Sequence, residues 1–95
     1  MSAKDSTKPS MLRLRIETCV DEASSPIYSW TNLNDGPDMY GPFAMGSWRV
    51  EEAPRWVRES MALLFIVENG TELEGVGYRM TDNVFYLTIK GSLGE

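Results

Sequence analysis

Histidine is absent from the 95 residues, and cysteine occurs once. Without histidine there is no Ser–His or Cys–His pair to activate a nucleophile, and no imidazole to ligate a metal. The single Cys19 has no partner for an internal disulfide, which excludes the cross-linked framework of small secreted domains. It reads as a small side chain in or beside a strand. Long apolar runs are missing as well: the longest, Met61 to Val67, has seven residues, against about 20 needed to span a bilayer. No segment has the form of a signal peptide, so a cytoplasmic location and no membrane contact are expected. Basic charge is scarce. Nine Lys and Arg stand against 14 Asp and Glu, for a net charge of −5 and a pI near 4.7. That disfavours direct binding to nucleic acid, where cations displace the counterions on phosphates. The carboxylates never run longer than two (Asp21-Glu22, Glu51-Glu52), a pattern that fits a solvated surface better than an imitation of nucleic acid.

The composition that remains is ordinary for a globular chain, with 42% hydrophobic and 24% charged residues. Five prolines and eight glycines imply many turns and little long helix. Residues 1–10, rich in Ser and Lys, read as a disordered leader, and 11–95 as one small β-rich domain. Leu12, Leu14, Ile16, Thr18 and Val20 alternate with Arg13, Arg15, Glu17 and Cys19, the period of a strand with one face on the core. Ile27 to Trp30 suits a second short strand. A third is expected around Trp48 and Val50, which point one way while Ser47, Arg49 and Glu51 point the other. Between them, Asn32 to Asp38 and Gly41-Pro42 are dense in turn formers and predict a long loop.

Pro54, preceded by Glu51 and Glu52, suits the first turn of a helix beginning near residue 53. Two continuations compete. Trp56, Ser60, Leu63 and Val67 keep helical spacing, so the helix can run on. Alternatively it stops near Ser60 and Met61–Val67 is a strand. The second is preferred because Asn69-Gly70 and Asp82-Asn83, placed at the centres of two hairpin turns, put Met61, Leu63, Phe65, Val76, Tyr78, Met80, Phe85, Leu87 and Ile89 on one face. The expected fold is α+β: an antiparallel sheet of four to six strands, ending in a β-meander, with one short helix. In that arrangement Leu64, Ile66 and Leu73 cluster on the opposite face and form a candidate oligomer interface.

The chemistry-bearing motifs are few. There is no P-loop, and Gly75-Val76-Gly77 lacks the third glycine of a dinucleotide fingerprint. Asn32, Asn34, Asp35, Gly36 and Asp38 are faintly similar to a calcium loop, but Phe43 stands at the acidic twelfth position. The carboxylate pairs Asp35/Asp38 and Glu72/Glu74 have no context that singles them out. No enzyme, cofactor or metal is expected. One segment rises above background: Trp48, Arg49, Arg55, Trp56 and Arg58 fall within eleven residues of a chain with three tryptophans. Trp and Arg are enriched at binding hot spots, which makes these five the candidate partner-binding residues, weighed against the reading that both tryptophans are core. The leading expectation is a non-enzymatic protein-binding module, its acidic surroundings steering a partner with a basic surface. Size, acidity and the lack of catalytic side chains are shared with many small virus-encoded proteins that disable a host factor, and an inhibitor of that kind is the specific form expected. The alternative is a homo-oligomer that binds a small anionic, nucleotide-like ligand. There Arg49, Arg55 or Arg58 grips the anion, and Tyr28, Trp30 or Tyr40 stacks a base.

Overall fold

A computed structural model of the protein describes residues 11–33 and 44–90. The expected leader, the acidic pair Asp35/Asp38, Tyr40 and nearly all of the calcium-like stretch lie outside them. Six strands, β1 (Met11–Val20), β2 (Pro26–Asn32), β3 (Met45–Arg49), β4 (Glu72–Leu73), β5 (Gly77–Arg79) and β6 (Val84–Lys90), form one sheet in the order β3-β2-β1-β6-β5-β4. Every neighbouring pair is antiparallel. A 3-10 turn at Val50–Glu52 leads from β3 into the helix α1 (Arg55–Phe65). The fold is therefore the small α+β arrangement expected, at the upper end of the strand count.

Period two in β1 has the expected cause. Leu14 and Ile16 are wholly buried on the helix-bearing face, while Arg13, Arg15 and Glu17 point the other way. Tyr28 and Trp30 of β2 and Phe85 and Leu87 of β6 extend the same apolar face on either side. Burial there raises the Tyr28 hydroxyl above its ordinary pKa of 10.0. Asp21 ties the β1–β2 connection, its Oδ1 accepting the N–H groups of Ala23 and Ser25, both at 2.9 Å.

The stretch Met61–Val67 is not a strand: α1 continues through Phe65. The buried residues Trp56, Val57, Met61 and Leu64 recur at the spacing of one helical stripe. Met61, Ala62, Leu63 and Leu64 are also good helix formers, and β-branched residues begin only at Ile66 and Val67, where the helix ends. At its start, the Pro54 carbonyl accepts the N–H groups of Val57 and Arg58, so proline is the residue just before the first turn. Asn69-Gly70 is a turn, with Gly70 at φ 87° and Thr71 N–H donating to Glu68 O at 3.1 Å, but it joins the helix to β4 instead of closing a hairpin.

The last hairpin is shifted by one residue from the expected register. Arg79, not Met80, faces Phe85; Tyr78 faces Tyr86; and Gly77 faces Leu87. The cause is Thr81, whose Oγ1 accepts the N–H groups of Asn83 (3.3 Å) and Val84 (3.1 Å), making a three-residue loop where Asp82-Asn83 alone predicts two. A slip of one exchanges the faces. Gly77 and Arg79 now lie toward the helix, and Tyr78 lies toward the open side.

Arg79 takes up a structural task there. Its Nη1 donates to Phe65 O at 3.2 Å and Val67 O at 2.9 Å, closing the carbonyl end of α1, where a positive charge also meets the helix dipole. Its guanidinium lies 5.9 and 5.5 Å from the ring centres of Phe65 and Phe85, themselves in edge contact at 4.9 Å. Substituting Arg79→Met keeps the stem and removes the donors. A loss of about 2 kcal/mol is expected, read as a lower urea midpoint at unchanged slope.

Candidate functional site

The Trp/Arg segment does not converge on one surface. Trp48 is half-buried and stacks on Trp30, with ring centres 5.4 Å apart and planes at 23°. Arg49, its neighbour on β3, points to the opposite face by strand alternation and approaches Asp21 Oδ2 at 4.0 Å. Trp56 is 8% exposed and belongs to the core. Arg55 extends into solvent and pairs with Glu59 one helical turn on, Nε to Oε2 at 3.0 Å. Arg58 Nε donates to Ala53 O at 3.0 Å, reinforcing the entry to α1. One tryptophan thus serves the core outright, the other largely, and the three arginines serve three separate contacts.

The trio Leu64, Ile66 and Leu73 also separates. Leu64 has no accessible surface, because the helix that replaces the expected strand turns it inward. Leu73 is half-buried and packs against the core. Ile66 alone stands in solvent, 80% exposed.

Around Ile66 several exposed apolar side chains are gathered on α1 and its end. Helical geometry brings Ala62 and Leu63 beside it, four and three residues back, with Phe65 one turn from Ala62. All are exposed, Leu63 at 46% and Phe65 at 42%. The outward side of α1 therefore changes character along its length. Its first half carries Arg55, Arg58 and Glu59, and its second half carries only apolar side chains. A globular helix with one partner needs a single apolar stripe, and α1 meets that need with Trp56, Val57, Met61 and Leu64 alone.

On the other side of the sheet no described element covers the surface. Tyr78 and Tyr86 form a cross-strand pair there, ring centres 5.2 Å apart at 48°. They sit in an open cleft of about 700 Å³ with Arg13, Leu33, Glu72 and Glu74. Glu72 and Glu74, unremarkable in the sequence, thereby share a site. Their carboxylates repel a multiply charged anion, and one arginine does not offset both, so the cleft suits a flat, neutral or zwitterionic ring better than a nucleotide. The Tyr78–Tyr86 pair was hidden in the sequence by the register of the last hairpin.

The described residues hold no group of three or more His, Cys, Asp or Glu placed to bind a metal, and no helix among them is long and apolar enough to cross a membrane. Cys19 is exposed.

The chain matches no family model, no curated protein and no solved structure.

Proposed function

We propose that this chain is a non-enzymatic binding protein that docks a partner protein on the apolar end of α1 and acts by occluding the partner's surface. The observation that supports this is Ile66, 80% exposed at the centre of Ala62, Leu63 and Phe65. Exposed apolar groups gathered on one side of a helix are what a docking anchor requires, whereas scattered ones are ordinary. Arg55, Arg58 and Glu59 form a polar rim at the helix's other end. The net charge of −5 favours encounter with a basic partner. A second reading, a small-ligand binder, is favoured by the cleft around Tyr78 and Tyr86.

The test is a pull-down from host lysate with the native chain and an Ile66→Asp variant. Because Ile66 contributes little to the core, the variant is expected to keep its Tm. One stoichiometric protein held by the native chain and lost by the variant is the expected result. Equal capture by both places the docking surface elsewhere. Recovery of the chain alone, with a Tm that rises on adding a free nucleoside, transfers the assignment to the cleft.

A further inference from the structure

Independently of that reading, we infer that Asn69 is a site of deamidation that the fold holds closed, with Asp82 as its guard. Deamidation is an internal reaction. The backbone nitrogen of the following residue gives up its proton and bonds to the asparagine Cγ, and Nδ2 leaves as ammonia. Water then opens the cyclic imide. Opened at one carbonyl, it leaves an ordinary aspartate; opened at the other, it leaves a backbone rerouted through the side chain. The attack needs a following residue that lets nitrogen and Cγ meet. The chain has four asparagines and no glutamine, and Asn69 alone precedes a glycine. Gly70 carries no Cβ to block the approach and has a wide range of backbone angles open to it. Asn83 precedes the β-branched Val84, and Asn32, wholly buried, precedes Leu33.

In the folded chain both reacting groups are already engaged. Gly70 N–H, which must lose its proton, donates to Arg79 O at 2.6 Å. Asn69 Nδ2 donates to Asp82 Oδ1 at 3.2 Å, tying the side-chain amide to the neighbouring hairpin. The carboxylate does more than tether. During the attack negative charge gathers on the Gly70 nitrogen and then on the Asn69 oxygen, and an anion in contact with that amide opposes it. Ionised Asp82 also has no proton to give to the departing ammonia. The reaction therefore runs through the fraction of molecules in which this turn is open. Conversion is one-way. A carboxylate in place of the Asn69 amide has no N–H to donate, and it meets the Asp82 carboxylate as a like charge. Arg79 carries the effect to the helix, because its carbonyl accepts from Gly70 while its guanidinium closes the end of α1.

The experiment incubates the full chain in mildly alkaline buffer, either folded or unfolded in guanidinium chloride. Amide loss at each asparagine is followed by peptide mass spectrometry. The unfolded chain is expected to react first at Asn69, and the folded chain to react there at least roughly tenfold more slowly. Asp82→Ala is expected to speed the folded reaction several-fold and to leave the unfolded rate unchanged. This variant keeps the hairpin, whose loop is closed by the Thr81 hydroxyl. Asp21→Ala, which removes a carboxylate from the β1–β2 connection, controls for general destabilisation and is expected to leave the rate at Asn69 as it was. Equal rates in the folded and unfolded chain overturn the inference. So does an Asp82→Ala rate no faster than that of the native chain or of Asp21→Ala, because the carboxylate then guards nothing.

Discussion

Substituting Gly77→Ala is expected to destabilise the protein by more than about 3 kcal/mol, out of a total of roughly 5–14 kcal/mol for a chain of this length. Two costs combine. Gly77 has φ 137°, a conformation that side-chain-bearing residues rarely adopt. A Cβ built there would also overlap the Tyr86 carbonyl oxygen and lie 3.0 Å from the Leu87 Cα, both backbone atoms of the paired strand β6. A flexible side chain can move aside; a strand in mid-sheet cannot without breaking its ladder. Thermal unfolding followed by circular dichroism should show a Tm lower by about 15 °C or more, or no folded state. Gly75→Ala is the matched control. Gly75 also has positive φ, 82°, but nothing lies within 4 Å of its hypothetical Cβ, so its loss is expected to be about 1 kcal/mol. Equal effects at the two sites would show that conformation alone, and not the close approach of β6, sets the cost.

Trp56→Ala is expected to cost about 3–5 kcal/mol, and Trp56→Phe less than about 1.5 kcal/mol. The alanine variant empties a large volume beneath α1, between residues that have no exposed surface of their own, such as Val57 and Met61. The phenylalanine variant keeps most of the ring. It also removes an indole N–H that is buried and has no hydrogen-bond partner among the described residues, a group whose desolvation already weighs against the folded state. Urea titration separates the two readings of this residue. If Trp56→Ala unfolds at the native midpoint, the side chain is a surface anchor and its place in the core is wrong. A steep loss in the alanine variant with near-native behaviour in the phenylalanine variant identifies packing as its role.

Part of this was legible in the sequence, for reasons that differ by element. β1 is central in the sheet and, among the described residues, covered on one face only, so its alternation of Leu14 and Ile16 with Arg13, Arg15 and Glu17 is undiluted. The stretch Met61–Val67 defeats the same test because it is apolar on every side: the outward side of α1 carries Leu63 and Phe65, and Ile66 follows at its end, where polar residues would have marked the helical period. The feature that hid the helix is the one that nominates its outer side for docking. The last hairpin depended on whether Thr81 belongs to the strand or to the turn, a matter settled by two hydrogen bonds to its hydroxyl that no dipeptide signal reveals. As for the candidate site, composition drew attention to Trp48, Arg49, Arg55, Trp56 and Arg58, but β3 sends Trp48 and Arg49 to opposite faces and α1 turns Trp56 inward while Arg55 stays in solvent.

The strand order has a further consequence, for how the protein is made. The sheet is two locally wound halves: β1, β2 and β3 follow one another on one side, and β4, β5 and β6 do so on the other, with α1 between them in the chain. The halves meet along β1 and β6, where Leu14 lies beside Leu87, about seventy residues away in sequence. On the ribosome β1 emerges before β2 to β5 and with one edge unsatisfied, and its partner β6 follows all of them. The central seam of the core closes only after every other described strand has emerged, and it is the contact that loop-closure entropy slows most. Until then the apolar face of Leu14 and Ile16 is open to any other strand in reach, so the yield of folded protein depends on how quickly β6 follows.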